Sequence, residues 1–232
     1  MTPSTLKDLF RSDVRDEVMP YLWSDAEIFS YMDDAQKMFC RVTGGIADST
    51  SPICTLTVNA GDTYINYDPR ILALRDLRRA SDGRNVSILN FEGLATTGWV
   101  QNDYGRFTTL GAGGIKFSNT PAPVTAVVVN TDEKKLRLIA PAATNETLYA
   151  IVYRLPLNDI TPSSTAFEID ERHHRYLLYW MKYLAHEKQD AETFDRGRSV
   201  EFRDKFLTYC MQAKAERERR EHKFRTVVYG GL

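Results

Sequence analysis

The hydrophobic periodicity of this sequence changes twice along the chain, and this change most constrains the fold. Near both ends, apolar residues recur every three or four positions, which is the spacing of one face of an α-helix. In between, apolar and polar residues alternate, which is the spacing of a half-buried β-strand. We therefore predict an α+β protein, in which an antiparallel β-sandwich or barrel domain (residues 51–159) is inserted into a helical bundle (residues 1–50 and 160–232) that ends in a long helix.

Clear boundary signals frame a helix near the amino end. Ser24 followed three residues later by Glu27 has the spacing of a capping box, and Gly44-Gly45 supplies a stop. A shorter helix is predicted before it, ending before Pro20. The apolar stripe of the main helix consists of Ile28, Tyr31, Met32, Ala35, Met38, Phe39 and Val42.

Turn residues divide the middle of the chain into six or seven short strands. We expect one hairpin from residues 53–58 and 63–67, and a second from residues 124–129 and 136–139. Further strands are predicted at residues 71–77, 86–89 and 148–155. Residues 91–120 are rich in Gly, Asn and Thr without a clear period, which is typical of a long loop or insertion.

Two more helices are predicted near the carboxyl end, from about Glu168 to Gln189 and from about Ala191 onward. The last one carries apolar residues as far as Ala213, but residues 214–225 are almost entirely polar, with six basic and three acidic side chains. A helix that extends beyond its own apolar stripe needs a neighbour or frays. Residues 226–232 are mostly apolar and glycine, which is typical of a segment that binds a partner's groove or adds a strand to its sheet.

Composition excludes several classes of protein. The chain is 43% hydrophobic and 26% charged, as in ordinary globular proteins, and its formal charge of -1 gives no general affinity for nucleic acid. Cys40, Cys54 and Cys210 are widely spaced and odd in number, so we expect buried free thiols and a reducing compartment. No apolar run approaches the ~20 residues that span a bilayer, and the amino end lacks a secretion-signal pattern.

Motifs with catalytic or ligand-binding chemistry are incomplete. The glycines at 111–114 lack the P-loop and dinucleotide patterns, and Glu171-x-x-His174 is only half of a di-iron carboxylate motif. We expect His173 and His174 at a polar helix edge. Ser199 is predicted in mid-helix with no histidine to activate it. We therefore predict no catalytic residues, no metal site, no cofactor and no enzyme activity.

The order of these signals resembles that of the head-to-tail adaptor (connector) proteins of tailed bacteriophages, especially short-tailed ones. The resemblance spans roughly residues 20–215 and is carried by seven segments, each of which is a pattern of core packing. The segments that carry it are residues 23–37, 60–72, 136–141, 148–156, 168–180, 188–195 and 202–206.

This resemblance implies a structural protein of the virion neck, assembled in the host cytoplasm. Twelve-fold rings of such proteins join the portal protein of the head to the next tail or nozzle component, and DNA passes through the bore without sequence-specific binding during genome ejection. The resemblance also implies that the carboxyl-terminal segment docks on the portal. By position and chemistry, that role falls on Arg217, Arg220, Lys223, Arg225, Val227 and Tyr229.

Two other functions remain open from the sequence. The chain could be another neck or tail component, such as a stopper or tail-tube-associated protein, which a micrograph locating the subunit would distinguish. It could also be a nucleic-acid-binding module that uses the basic helix, in which case binding would be tight and steeply salt-dependent.

Overall fold

A computed structural model describes residues 1–90, 99–101, 107–109, 117–188 and 194–222. The chain divides into two compact units, one built from Met1–Ile46 and Leu155–Leu232 and the other from Ala47–Arg154. The described elements make this an α+β protein with a long carboxyl-terminal helix, as the sequence predicts.

The first unit is helical. Its described helices are α1 (Pro3–Val14), α2 (Asp25–Thr43), a 3₁₀ helix (Glu171–Tyr176), α3 (Leu177–Glu187) and α4 (Arg196–His222). They enclose one apolar core, whose most deeply buried large side chains are Leu6, Phe10, Ile28, Met32, Leu177, Met181 and Phe206.

The boundaries of α2 confirm the local signals. Ser24 is the N-cap; its side chain accepts a hydrogen bond from the Glu27 backbone N–H, and the Glu27 side chain accepts one from the Ser24 N–H. Gly44 ends the helix in the left-handed region, with φ of 88°. A glycine adopts this conformation without the steric cost that a Cβ would bring.

Three helical predictions need correction. The segment predicted as one helix from Glu168 is a 3₁₀ helix followed by α3, because Asp170 caps a tighter first turn at the Arg172 N–H. The last helix begins at Arg196, where the Asp195 carboxylate accepts a hydrogen bond from the Arg198 N–H; Ala191 lies outside the described residues. Ser199 consequently lies in the first turn of α4 and is buried.

The β-strands occupy the middle of the chain. The described strands are β1 (Ile46–Asp48), β2 (Thr55–Val58), β3 (Tyr64–Asn66), β4 (Ile71–Arg79), β5 (Ser87–Asn90), β6 (Trp99–Gln101), β7 (Phe107–Thr109), β8 (Ala126–Asp132), β9 (Lys135–Leu138) and β10 (Glu146–Arg154). Strand β10 pairs with β1, β2 and β4 in one four-stranded sheet. A second four-stranded sheet has the order β3-β9-β8-β5, and β6 pairs with β7.

The two four-stranded sheets share one core, as in a sandwich. Leu148, Ala150 and Val152 of β10 alternate with more exposed residues and face this core. Val127 of β8 and Leu136 of β9 reach it from the second sheet. The apolar alternation along these strands is therefore the pattern of two sheets that bury one face each.

One predicted hairpin is confirmed and the other is wrong. Strands β8 and β9 pair antiparallel around a short turn, as predicted. The turn at Asn59–Asp62 forms, but β2 pairs with β10 while β3 pairs with β9, so this turn joins the two sheets. Alternation of apolar residues identifies a strand without specifying its partner.

Two further features of the β-region differ from the prediction. Strand β5 runs parallel to β8, so the second sheet is mixed; the intervening residues 91–125 are long enough for the crossover that a parallel pair requires. Within the segment predicted as a loop, β6 and β7 form a short antiparallel pair, and residues 91–98, 102–106 and 110–116 lie outside the described residues.

Candidate docking surface on the carboxyl-terminal helix

Apolar contacts hold the first half of α4 on the bundle. Phe206 and Cys210 are fully buried, and the Phe206 ring lies 5.0 Å from the Trp180 ring of α3, centroid to centroid. Burial raises the pKa of the Cys210 thiol to about 12, and the nearby Cys40 adds to the effect. This thiol is therefore protonated and unreactive at neutral pH. Cys40, Cys54 and Cys210 are all buried and none of them forms a disulfide, as predicted.

An aromatic cluster joins α4 to the 3₁₀ helix. The Tyr209 ring stacks on the Tyr176 ring with centroids 3.5 Å apart, and the Tyr209 hydroxyl lies 2.7 Å from His173 Nδ1. Burial raises the pKa of Tyr209 to about 12, and burial followed by the Arg172 charge lowers the pKa of His173 below 6.5. Both groups are thus mainly neutral near pH 7, which suits a packed contact.

The histidines and Glu171 are not arranged as a metal site. His174 is buried, with Nε2 2.9 Å from the Ile169 carbonyl oxygen, so the predicted polar helix edge is wrong for this residue. Glu171 is exposed and accepts a hydrogen bond from the Met1 amino group. Among the described residues, no group of three or more His, Cys, Asp or Glu side chains is placed to hold a metal ion.

Beyond its apolar stripe, α4 is anchored once more by Arg217. The Arg217 guanidinium donates a hydrogen bond from Nη1 to the Gly45 carbonyl oxygen, 2.9 Å away, at the carboxyl end of α2. A Cβ on Gly44 would lie only 2.4 Å from Arg217 Nη2, so the absence of a side chain there makes room for the guanidinium. A positive charge at this end of a helix is favourable, since the last carbonyl groups carry partial negative charge.

This contact modifies the expectation that the polar end of α4 has no support in its own subunit. Arg217 is partly buried against α2, whereas Glu218, Arg219 and Arg220 are exposed. The helix extends to His222, more than two turns past Ala213. The sequence did not signal the Arg217–Gly45 pair, because the two residues are 172 positions apart.

The solvent side of α4 forms a shallow depression of about 520 Å³ lined by Thr208, Met211, Gln212, Ala215, Glu216 and Arg219. Met211, one of these lining residues, is 64% exposed. Of the six residues predicted to dock on a partner, neither Arg217, which is partly buried against α2, nor the exposed Arg220 lines this depression. Lys223, Arg225, Val227 and Tyr229 lie outside the described residues.

Comparison with known proteins places the chain in context. A protein-family model described as SU10 adaptor protein matches residues 1–228, almost the full length. No curated protein matches the chain. No helix in the described ranges is both long and apolar enough to cross a membrane.

Proposed function

Because the chain belongs to the SU10 adaptor protein family, a family of structural phage adaptors, we propose that it forms a homo-oligomeric ring at the virion neck. The ring joins the portal vertex of the head to the tail and lets DNA pass through its bore. The near-zero net charge supports this role, since a bore with strong affinity for phosphate would retard DNA.

The observation that carries the proposal is the extension of α4 beyond the apolar core. The helix runs to His222, and its last described side chains include the exposed Arg219 and Arg220. In the sequence, residues 214–225 hold six basic and three acidic residues, a net charge of +3. A basic segment that follows a packed bundle in the sequence is suited to an acidic surface on a partner.

Within this proposal, the six residues predicted to dock have three roles. Arg220, Lys223 and Arg225 supply charge to the portal contact, and Val227 and Tyr229 supply apolar area. Arg217 fixes the direction of the helix through its hydrogen bond to Gly45, and so lowers the conformational cost of docking.

Deletion of residues 223–232 tests the docking role. The truncated chain keeps α4 and the Arg217 contact, so we expect an unchanged circular dichroism spectrum together with loss of co-sedimentation with portal rings. Arg84→Glu is the matched control, because the Arg84 side chain is 79% exposed in a turn of the other unit. Normal attachment of the truncated protein to portal would refute the docking role.

Localisation in virions separates the adaptor from another neck or tail component. We expect electron micrographs of labelled particles to place this chain directly against the portal. Density for the label in the distal tail would contradict the proposal. DNA binding by the purified chain that is tight and falls steeply with salt would instead indicate a nucleic-acid-binding module.

A further inference from the structure

His174 is a buried histidine whose two ring nitrogens both face backbone carbonyl oxygens. It belongs to the 3₁₀ helix and is only 5% exposed. Its Nε2 lies 2.9 Å from the Ile169 carbonyl oxygen, and its Nδ1 lies 3.1 Å from the Met1 carbonyl oxygen. Both distances are within the range of a hydrogen bond. We define the His174 latch as this side chain together with the two carbonyl groups.

The hydrogen bonds of the latch depend on the charge of the ring. A carbonyl oxygen only accepts hydrogen bonds, so each nitrogen must carry a proton to make its bond. A neutral imidazole has one N–H group, whereas an imidazolium ion has two. The protonated ring therefore satisfies both carbonyl oxygens. The neutral ring leaves the lone pair of one nitrogen facing a carbonyl oxygen, in a site with little access to water.

The surroundings of the ring contain charges of both signs. The charged or titratable groups that adjoin it are the Met1 amino group, Asp170, Glu171, Arg172, His173 and Arg175. The hydrogen bond from the Met1 amino group, and to a smaller extent the positive charge of His174, lower the pKa of Glu171. Tyr209 and Glu216 of α4 act on the neighbouring His173. The uncharged Phe167 ring lies 4.6 Å from the His174 ring, centroid to centroid.

The Met1 contact lies at the start of α1. Thr2 caps this helix, because its hydroxyl accepts a hydrogen bond from the Thr5 N–H and its carbonyl oxygen accepts one from the Leu6 N–H at 3.0 Å. Leu6 is fully buried in the helical core. The bond from His174 thus joins the 3₁₀ helix to the residue directly before the cap of α1. Without that bond, the first turn of α1 opens more often.

From this geometry we infer that His174 is a pH-sensitive latch for the amino-terminal segment. Below about pH 6.5, where histidine ordinarily gains its second proton, the ring holds both Met1 and Ile169. Because only the protonated ring makes both bonds, the closed latch binds this proton more tightly than the opened segment does. The stabilisation is therefore complete below about pH 6.5 and is lost as the pH rises and the closed latch gives up its proton.

Hydrogen exchange of the full-length chain at about pH 5.5 and about pH 7.5, one unit on each side of the ordinary histidine value, tests the latch. After correction for intrinsic rates, the amides in the first turns of α1 should open at least about fivefold more often at the higher pH, because a hydrogen bond from a charged donor is lost. His174→Gln cannot titrate, so its corrected exchange should be the same at both pH values. Equal opening of wild type at both pH values, or a dependence that survives in His174→Gln, would overturn the latch.

Two control variants separate the latch from neighbouring groups. His173→Gln should keep the wild-type pH dependence, because His173 Nδ1 contacts the Tyr209 hydroxyl and not Met1. Glu171→Gln removes the carboxylate that pairs with the Met1 amino group and leaves His174 in place, so the dependence should again remain. If either substitution abolishes the dependence, the titrating group is not His174 and the inference is wrong.

Nitrogen NMR spectra of the histidine side chains give a second readout, which needs no substitution and so does not require His174→Gln to fold. The His174 signals can be assigned through contacts with the Phe167 ring protons. At about pH 5.5, one unit below the ordinary histidine value, both ring nitrogens should carry a proton. One of these protons should be lost over the pH range in which the exchange of α1 increases. A ring with a single protonated nitrogen at the lower pH would overturn the inference.

Discussion

Replacing Gly44 with alanine tests whether Arg217 is an anchor for the carboxyl-terminal helix. Gly44 has a φ of 88°, so a Cβ costs roughly 1–2 kcal/mol from the left-handed backbone alone. The Cβ would also lie 2.4 Å from Arg217 Nη2 and would displace the guanidinium from the Gly45 carbonyl oxygen. Loss of a hydrogen bond from a charged donor costs about 1.5 kcal/mol or more.

We therefore expect Gly44→Ala to lower the free energy of unfolding by about 3 kcal/mol. Urea denaturation of the dilute chain, followed by circular dichroism, measures this loss. Gly61→Ala is the matched control, because Gly61 has a φ of 86° but no atom within 4 Å of the added Cβ. The control should show the backbone cost alone, roughly 1–2 kcal/mol.

A double-mutant cycle completes the test. In an Arg217→Ala background, Gly44→Ala should cost only about as much as Gly61→Ala, because the guanidinium is no longer there to be displaced. Equal costs for Gly44→Ala in the presence and absence of Arg217 would refute the anchor. Trypsin should also cleave Arg217→Ala faster after Arg219 and Arg220, since the end of α4 would open more often.

Three further predictions concern the helical unit. Phe206→Ala should lower the free energy of unfolding by about 3–5 kcal/mol, because Phe206 is fully buried against Trp180. In the same denaturation assay, Val200→Ala on the exposed side of α4 should change this free energy by less than about 0.5 kcal/mol. Arg11→Met should lower the free energy of unfolding by about 3–5 kcal/mol, because it leaves the buried Asp16 carboxylate without its ion-pair partner. Adding Asp16→Asn should recover part of this loss. If Arg11→Met alone is as stable as wild type, the Arg11–Asp16 pair does not contribute. The hydrogen bonds from Lys188 and from the Ser24 backbone lower the pKa of Glu27 from 4.5 to about 2. The stability that the ionised Glu27 adds is therefore complete above pH 4.5 and is lost as the pH falls toward 2. The melting temperature of Glu27→Gln should therefore fall less over this interval than that of wild type, and parallel curves would show that Glu27 does not contribute.

Local signals in the sequence were sufficient to predict most of the described helices and strands, although not β1, β6 or β7. The capping box at Ser24 and Glu27, the stop at Gly44 and the alternation along residues 148–154 each act over a few residues, and the structure follows them. The ordered series of these packing patterns also indicated an adaptor, and the family match across residues 1–228 confirms that resemblance.

Tertiary structure decided which elements meet. Apolar alternation does not specify a strand's partner, so the sequence could not show that β2 and β3 separate into two sheets or that β5 runs parallel to β8. The same limit applies to the candidate surfaces. Arg217 reaches Gly45 across 172 residues. Such contacts form only when packing of the whole unit brings distant side chains together and excludes water from them, and no pattern confined to a few neighbouring residues encodes that geometry.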